Sequence, residues 1–488
     1  MRIAILADIH YSSIEQKTGS RRETGLADTI LLRAVVRLNR LIHPDVTIVA
    51  GDLIHDGDAP NGRHDLEVVR NTLKRLQSPM LVIPGNHDGS PEAFHEVFPR
   101  PERIVQFGNV RFVVNDADSE RPGYNSWRSP EEIAQIARAR QGFQGHIVVL
   151  QHTPCFPAER VPECPYNYAN AAEINAAESA GGVLLSLSGH FHDGFRPFVF
   201  QGVTYFAAPA LCESPFVIPY VDLDETTGRM EWHREELKLP EKLHLVDTHI
   251  HTHLAFCSEN LEIGKMKYLA ELFGLDKFLL SEHSGHLIHP DEDYGPAQCK
   301  VLPVHPEECR GDLYFREMTE AGIPAERIGL ETDIRFDGQW LAHPNDLRRA
   351  GFRIGAIHEM NCFAFKQNLP DEQIRDNFLW LCQKILQNGC LSMAHPFRIF
   401  RRSHHPIPEG CFAPLVRMLK EYNTAAEINF HTNEPPVEFF RMAINAGVKI
   451  TLGSDTHNLY EIGDFALHLD FLRKCGVDGN YEDVLLKL

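Results

Sequence analysis

Short apolar runs that lead into aspartate or histidine recur along the whole chain, and no other feature constrains its fold as much. RIAILA leads into Asp8 and His10, VTIVA into Asp52, and much later LHLV into Asp247 and His249. Apolar runs of this length, separated by helix-type spacing, are typical of the strands of α/β proteins. Such proteins place their functional groups where strands end. The alternation therefore predicts polar sites built at strand ends.

The alternation forms two blocks, separated by the polar segment KLPEK at residues 238–242, which predicts a linker. The expected domains are residues 1–237 and 243–488. In the first block the predicted strands cover residues 2–7, 46–50, 80–83, 110–114, 147–151, 183–187 and 203–207. In the second block they cover residues 243–250, 277–281, 327–331, 352–357, 390–394, 425–430 and 449–454. These seven strand–helix units favour a barrel-like or strongly curved parallel sheet. The Pro- and His-rich segment 284–312 is expected to be a long loop.

Length and composition limit the classes of protein that fit. At 488 residues the chain is too long for one ordinary core, so two or three domains are expected. No apolar run is long enough for a membrane span, and the start MRIAILADIH lacks the pattern of a signal peptide. A cytoplasmic protein without membrane association is therefore predicted. The eleven cysteines lack CxxC spacing and are expected to be reduced.

The net charge of −19, with both halves acidic, argues against a protein that binds the phosphates of a nucleic acid. A small anionic substrate still fits, because bound metal ions can dominate the local field. Histidine is the unusual residue, since 27 are present and many follow apolar runs. The sequence does not indicate an oligomeric state.

The first block carries side chains of the types that bind metals, each placed directly after a predicted strand. Alternating residues at a strand end, such as Asp8 and His10 or His190 and His192, project to the same side and can share one ion. Imidazoles, carboxylates and an amide oxygen together suit Mn, Fe, Zn or Ni. We take Asp52 as the carboxylate that bridges two ions. Such a pair of ions supports in-line displacement at phosphorus with water as the nucleophile.

DxH, GDxxxDG, GNHD, an isolated His before Thr-Pro and GHxH occur in this order in the first block. They resemble the motifs of the calcineurin-like metallophosphoesterases, and their spacing is most similar to that of the cyclic-nucleotide and glycerophosphodiester phosphodiesterases. The resemblance implies an αββα sandwich with two metal ions. One ion would be bound by Asp8, His10, Asp52 and His192, and the other by Asp52, Asn86, His152 and His190. His87 would be the histidine that protonates the leaving oxygen.

The second block places further ligand candidates after all but one of its predicted strands. A barrel brings strand ends into one ring, so residues far apart in sequence can converge. The candidates are Asp247, His249, His251, His283, Glu331, His358, His395, Asp455 and His457. Their order resembles the polymerase and histidinol phosphatase (PHP) domain from residue 243 onward. That resemblance implies a distorted (βα)7 barrel with two or three ions, Zn, Mn or Fe.

By that resemblance, one ion would be held by His249, His251, Glu331 and Asp455, and a second by Glu331, His358 and His395. His283 and His457 would contribute to a third. A further histidine common at the third site is replaced by Cys257, with Glu259 nearby. Three readings remain open: a Cys257 thiolate ligand, Glu259 in its place, and a merely buried thiol. Arg398 could contact a phosphate.

The leading hypothesis is a metal-dependent phosphoric ester hydrolase with two active domains. The first would hydrolyse a phosphodiester, with cyclic nucleotides and small-molecule diesters as candidates, and the PHP-like domain a phosphomonoester or a second diester. Two alternatives remain open. The chain could be a nuclease or a nucleic-acid repair phosphoesterase, or one domain could be a non-catalytic module that binds a metal or a phosphorylated metabolite.

Overall fold

The computed structural model describes residues 1–14, 21–289 and 310–488, which divide into two compact units, Met1–Lys238 and Leu239–Leu488. The predicted α/β class is confirmed, because parallel strands alternate with helices in both units. Within the described residues, no helix combines the length and the apolar character needed to cross a bilayer.

The first unit is built on two sheets. Its strands are β1 (Arg2–Leu6), β2 (Val46–Ala50), β3 (Met80–Ile83), β4 (Ile104–Phe107), β5 (Val110–Val114), β6 (Ser119–Arg121), β7 (Asn125–Trp127), β8 (His146–Leu150), β9 (Val183–Ser188), β10 (Phe195–Phe200), β11 (Val203–Ala207), β12 (Val217–Leu223) and β13 (Met230–Glu236). Its helices are α1 (Ala27–Arg37), α2 (Gly62–Leu73), α3 (Pro91–Val97), α4 (Pro130–Arg140) and α5 (Ala171–Ala180). One sheet has the order β13-β12-β1-β2-β3 and the other β10-β11-β9-β8-β5-β4, while β6 and β7 form a separate hairpin.

The two sheets pack face to face on a shared apolar core. Ile5 of β1 and Ile48 of β2 lie in one buried cluster with Phe112 of β5 and Leu185 of β9. On its other face the second sheet packs against α4 through residues such as Ile136. The central strands of the second sheet are thus buried on both faces, which explains their near-continuous apolar sequences.

The carboxyl ends of the central strands form the edge on which polar side chains gather. β1, β2 and β3 are parallel neighbours, as are β5, β8 and β9. Directly after strands, Asp8, Asp52 and His190 adopt positive φ angles of 54°, 53° and 67°. Residues other than glycine rarely adopt this left-handed backbone, and such strain clusters at functional sites. All three belong to the predicted ligand set.

The second unit is a closed barrel of seven strands surrounded by helices. Its strands are β14 (Val246–Ile250), β15 (Lys277–His283), β16 (Ile328–Asp333), β17 (Arg353–Ala356), β18 (Ser392–Met393), β19 (Ala425–Asn429) and β20 (Ile450–Gly453). Its helices are α6 (Ile263–Leu272), α7 (Ser284–Ile288), α8 (Gly311–Glu320), α9 (Pro344–Arg349), α10 (Asn361–Ala364), α11 (Asp371–Asn388), α12 (Arg398–Arg402), α13 (Phe412–Glu421), α14 (Val437–Asn445) and α15 (Ala466–Lys474). Neighbouring strands are parallel in sequence order, and β20 closes the barrel against β14. A parallel barrel places the seven carboxyl ends in one ring.

The loop predicted at residues 284–312 differs from the structure where the structure describes it. Residues 284–288 form α7, α8 begins at Gly311, and residues 290–309 lie outside the described part of the chain. His286 is therefore helical and only 5% exposed. Proline and histidine content was a poor guide here, because one turn of helix needs only a few compatible residues.

Candidate metal centres

Side chains that follow five strands of the first unit converge on one cluster. These strands are β1, β2, β3, β8 and β9. The members of the cluster are Asp8, His10, Asp52, Asn86, His152, His190 and His192. The structure thus brings together every ligand predicted for this unit.

Asp52 faces a first group of ligand atoms through one carboxylate oxygen. Its Oδ2 lies 3.5 Å from His10 Nε2, and His10 Nε2 lies 3.1 Å from His192 Nε2. Asp8 Oδ1 completes the group at 3.6 Å from His192 Nε2. Two nitrogen ligands bound at right angles, each about 2.0–2.1 Å from an ion, would be about 3 Å apart. The spacing of the two rings therefore fits one metal ion.

The other oxygen of Asp52 faces a second group. Its Oδ1 lies 3.4 Å from His152 Nε2, which is 3.1 Å from both Asn86 Oδ1 and His190 Nδ1. The two oxygens of the Asp52 carboxylate thus face two separate sets of ligand atoms. This is the geometry of a carboxylate that bridges two ions.

The tautomers of two histidines show that the second group suits a cation. Carbonyl oxygens only accept hydrogen bonds, so His152 Nδ1 donates to Ala50 O at 2.7 Å and His190 Nε2 donates to Tyr124 O at 2.9 Å. Burial lowers the pKa of His152, but the Asp52 carboxylate raises it further, to about 10, so without an ion His152 Nε2 holds a proton directed at the lone pair of His190 Nδ1, 3.1 Å away. Positive charge thus already lies between the two nitrogens, and a bound metal ion would take the place of that proton.

Burial keeps two other histidines of the cluster neutral. It lowers the pKa of His10 well below its ordinary value of 6.5 and that of His190 to about 3, so both rings are neutral, the form that binds metals. The carboxylates of Asp8 and Asp52 are buried too, and no lysine or arginine among the described residues pairs with either. Buried carboxylates need compensating charge, which a divalent ion supplies.

His87 lies beside the cluster rather than among its ligands. Its Nδ1 donates to the backbone carbonyl of His55 at 2.8 Å, which leaves Nε2 to carry a second proton or a lone pair. Its ring centroid is 4.7 Å from that of His10. His87 also lines a cavity of about 420 Å³ together with Asp52 and His192. A residue in this position can exchange a proton with a bound substrate.

Two groups that the sequence did not indicate orient metal-ligand candidates. Glu213 Oε1 lies 2.5 Å from His192 Nδ1, and the backbone carbonyl of Tyr124 accepts from His190. Such partners fix the tautomer and the direction of a ligating ring. Glu213 follows the apolar stretch FAAPALC but belongs to none of the five motifs, and a backbone carbonyl leaves no trace in the sequence. Neither could have been found from the pattern.

The second cluster lies at the carboxyl ends of the barrel strands and is centred on Glu331. Its Oε2 lies 2.6 Å from His283 Nδ1 and 3.5 Å from His249 Nε2. Its Oε1 lies 2.7 Å from His395 Nε2 and 3.4 Å from His358 Nε2. As at Asp52, the two oxygens of one carboxylate face two sets of imidazoles.

Asp455 joins the first of these sets. Its Oδ1 lies 3.0 Å from His251 Nε2 and 3.4 Å from His249 Nε2, and these two nitrogens are 3.2 Å apart. Asp247 has a different role, since it accepts hydrogen bonds from the backbone N–H groups of His249 and Ser454. It holds the strand end and leaves Asp455 as the carboxylate that faces the histidines.

Three further carboxylates support the histidines of this cluster through their Nδ1 atoms. The pairs are Glu427 with His249 at 2.8 Å, Asp333 with His358 at 2.5 Å, and Glu282 with His251 at 3.4 Å. Carboxylate partners of this kind orient ligating histidines. The sequence did not indicate a role for any of the three. Only position in the sequence could have pointed to Glu282 and Asp333, because Glu282 precedes His283 and Asp333 follows Glu331 by two residues.

The candidates for a third ion form two overlapping groups. Cys257 Sγ lies with ring nitrogens of His283 and His286, all within 4.8 Å of one another, and His457 groups with His251 and His283. The sequence assigned His286 to a loop, whereas α7 buries it beside His283 at a ring-centroid distance of 4.3 Å. His286 is thus a candidate that the pattern missed.

Glu259 and Arg398 occupy contrasting positions. Glu259 is exposed, and its carboxylate accepts from the Asn458 amide at 2.7 Å. Arg398 is only 4% exposed, and its guanidinium contacts the Asp455 carboxylate and lies 2.6 Å from His358 Nε2. Arg398 therefore brings a positive charge to the cluster, as a group that contacts a phosphate would.

Comparison with known proteins identifies the first unit. Residues 1–194 match the sequence model of the calcineurin-like phosphoesterase family. The glycerophosphodiester phosphodiesterase GpdQ of Enterobacter lignolyticus (strain SCF1) is 24% identical over 205 residues, which cover 40% of this chain and 71% of that protein. Among solved structures, a dimetal phosphatase from Danio rerio aligns at 16% identity with a TM-score of 0.40, over 48% of this chain and 96% of that one. A purple acid phosphatase from yellow lupin (Lupinus luteus) seeds aligns at 11% identity with a TM-score of 0.33, over 48% of this chain and 53% of that one.

The family match covers every ligand candidate of the first unit, from Asp8 to His192. The family implies divalent metal ions, which suits the buried imidazoles and carboxylates of the cluster. The N-terminal part of the chain is a calcineurin-like metallophosphoesterase domain, and the protein is a metal-dependent phosphoric ester hydrolase.

Proposed function

We propose that the chain is a phosphoesterase with two separate metal-dependent sites. Residues 1–237 would hydrolyse a phosphodiester, and residues 243–488, as a PHP domain, a phosphomonoester or a second diester. The observation that carries this proposal is the pair of central carboxylates, Asp52 and Glu331. In both carboxylates, one oxygen faces one group of histidines and the other oxygen faces a second group.

The ligand sets fit divalent ions, which when bound would activate water and offset the charge on a phosphate. In the first site Asp8, His10, Asp52 and His192 would hold one ion, and Asp52, Asn86, His152 and His190 the other. In the second site the two sets around Glu331 would do the same, with a third ion near Cys257, His283 and His457. Imidazole and carboxylate ligands favour Mn, Fe, Zn or Ni in the first site and Zn, Mn or Fe in the second.

His87 is the proposed general acid of the first site. The oxygen of water would form the new bond to phosphorus as the bond to the leaving oxygen breaks. His87 Nε2 would give its proton to that leaving oxygen, and the proton that the water loses would pass to solvent. The bond from Nδ1 to the His55 carbonyl holds the ring so that Nε2 is the atom that exchanges the proton. In the second site Arg398 would pair with phosphate oxygens. The described contacts of that cluster single out no acid beside it.

A small diester suits the first site better than a nucleic acid. The curated relative is a phosphodiesterase that acts, by its name, on glycerophosphodiesters. The cavity beside Asp52 and His87 is about 420 Å³, the size of a pocket for a small molecule. The chain carries a net charge of −19, which disfavours binding of the phosphate backbone of a polynucleotide.

The test uses purified full-length protein with Mn and the diester bis(p-nitrophenyl) phosphate. We expect p-nitrophenol release that His87→Ala and Asp52→Asn each reduce at least about 100-fold, in the range known for acid–base groups. His64→Ala serves as the matched control, because His64 is an exposed histidine of the same domain. Diesterase activity that survives both His87→Ala and Asp52→Asn would show that the first site is not the catalyst.

A further inference from the structure

A cavity of about 600 Å³ opens beside His358 in the second unit. Its walls come from the segments that follow β17 and β18, so it lies next to the cluster around Glu331. Two basic side chains, Lys366 and Arg402, line this cavity together with His358. The apolar part of the lining includes Phe363, Leu369, Ile374 and Ile399.

Helix α12 connects the cavity to the cluster. Residues four apart lie on the same side of a helix, so Arg398 and Arg402 share one face of α12. Arg398 reaches His358 at 2.6 Å, and Arg402, one turn later, lines the cavity. Arg401 lies off this face and pairs with Glu434 at 2.8 Å. Helix α12 thus places Arg398 at the cluster and Arg402 at the cavity.

The positive charge of this cavity is not neutralised by ion pairs. Among the described residues, no carboxylate lies within salt-bridge distance of Lys366 or Arg402, and Glu359 is the one carboxyl on the lining. Arg401, the neighbour of Arg402, is in contrast paired with Glu434. Arg402 interacts with Glu359 through space without forming an ion pair, so the lining carries two cations against one carboxyl group in a chain whose net charge is −19. Their charges are available to a ligand.

We infer that Lys366 and Arg402 bind a second anionic group of the substrate of the second site. That substrate would be a phosphomonoester whose carbon skeleton carries another phosphate or a carboxylate. The inference rests on the proposed phosphoesterase activity of the second unit. The scissile phosphate would lie at the Glu331 cluster against Arg398. The second anion would lie at Lys366 and Arg402, and the connecting carbon atoms against the apolar wall.

The two side chains would recognise the anion in complementary ways. The planar guanidinium of Arg402 can pair with two oxygens of a phosphate or carboxylate at once, whereas the Lys366 ammonium acts as a mobile point charge. Each contact to a charged group contributes enough to change affinity by about tenfold or more. Loss of either cation should therefore affect substrates with two anionic groups and spare those with one.

The experiment compares straight-chain alkanediol bisphosphates of graded length with the matching alkanediol monophosphates. Full-length protein carrying His87→Ala is used, so that the first site does not contribute, and phosphate release gives kcat/KM. We expect one chain length of the bisphosphates to exceed its monophosphate by about tenfold or more. Lys366→Gln and Arg402→Gln should each remove that advantage and leave kcat/KM for the monophosphate within about twofold. Arg401→Gln, next to Arg402 but paired with Glu434, should change neither value.

A binding measurement separates recognition from turnover. Calorimetric titration of the metal-loaded protein with the alkane bisphosphonate of the best chain length, which is not hydrolysed, should give an affinity that Arg402→Gln weakens about tenfold and Arg401→Gln leaves unchanged. If bisphosphates and monophosphates are hydrolysed equally well and Lys366→Gln changes nothing, the inference is wrong and the proposed function stands. If the folded protein releases phosphate from neither series, the proposed activity of the second unit fails and the inference falls with it.

Discussion

Gly85 and Gly453 are two glycines at which an added Cβ atom would meet a carboxylate of a site. A Cβ atom at Gly85 would lie 2.2 Å from Asp52 Oδ1, and one at Gly453 would lie 2.0 Å from Glu427 Oε1 and 2.8 Å from His249 Cβ. Distances below 3.0 Å are not seen for real Cβ atoms. At both positions glycine is needed because a carboxylate of the site occupies the space of a side chain.

Gly85→Ala should therefore disable the first site specifically. The new methyl group would displace the Asp52 carboxylate, and displacement of a central group by about 1 Å can reduce turnover about 100-fold. We expect a loss of that size in kcat/KM for bis(p-nitrophenyl) phosphate, with the activity of the second unit unchanged. Gly142→Ala is the control, since a Cβ there meets nothing within 4 Å and the cost of its φ of +66° falls on stability alone. Unaltered diesterase activity in Gly85→Ala would argue against a central role for Asp52.

For single residues, the sequence predicts the metal-ligand candidates better than it predicts the groups that orient them. Asp52, His152 and Glu331 follow apolar runs, so their positions could be read from the alternation of strands and polar motifs. Glu213 and Tyr124 act on ligands far away in sequence, and Tyr124 does so through its backbone. Contacts of this kind depend on tertiary folding and leave no local pattern.

The β6–β7 hairpin is an element that positions a ligand without supplying one. Its turn carries Tyr124, whose carbonyl accepts the hydrogen bond from His190. Its base is held by Arg128, whose Nε and Nη2 donate to the two oxygens of Asp118 at 2.9 and 2.8 Å, and Tyr168 donates to the same carboxylate at 2.6 Å. The ion pair therefore fixes the hairpin, and the hairpin fixes the ring of His190.

Arg128→Lys should weaken metal binding through this hairpin. Lysine keeps the charge but cannot make the paired contact with Asp118. Loss of an outer contact to a metal ligand typically costs 10- to 100-fold in affinity, so we expect the Mn concentration for half-maximal diesterase activity to rise about tenfold. Arg121→Lys changes an exposed arginine of the same hairpin and should leave the Mn titration unchanged. Identical Mn titrations for Arg128→Lys and the wild type would show that Arg128 does not support metal binding through the hairpin.

Helix α5 carries a buried acid that should make stability depend on pH. Glu178 accepts from Ser186 of β9 at 2.9 Å, and burial raises its pKa from the ordinary value of 4.5 to about 7. The unfolded chain loses this proton near pH 4.5 and the folded chain near pH 7, so the contribution of Glu178 destabilises the fold increasingly as pH rises between them.

Glu178→Gln removes this titration. The variant should gain stability relative to the wild type between pH 5 and pH 8, by about 2–3 kcal/mol from the size of the shift. Urea unfolding of both proteins at the two pH values, followed by a signal from the first unit, measures the difference. A difference that does not change with pH would mean that the carboxyl group is not held neutral.

The elements that the sequence failed to indicate lie mostly at sheet edges. β4 and β10 are the two edge strands of the second sheet, and both are only partly buried along their length. An edge strand with one exposed side lacks the continuous apolar run that marked β2 or β8. The β6–β7 hairpin has three residues in each strand, too few for any periodicity. Central strands were predictable because burial on both faces dictates their composition.

At the scale of the whole molecule, two unrelated topologies produce the same arrangement. A two-sheet sandwich and a closed seven-stranded barrel each gather imidazoles around one carboxylate whose oxygens face two groups. In both, the parallel strands end on one side, so residues distant in sequence meet there. In so acidic a chain, cations bound at the two proposed sites would offset the charge of an anionic substrate.

The most direct test of two independent sites is metal analysis combined with the diesterase and monoesterase assays on three proteins. Wild-type protein should bind about four or more divalent ions per chain, two around each central carboxylate. Asp52→Asn should lose about two of these ions together with the diesterase activity, and Glu331→Gln about two together with the monoesterase activity. Each variant should keep the ions and the activity of the other site. A wild type with only two ions per chain, or a single variant that loses both activities, would contradict the account.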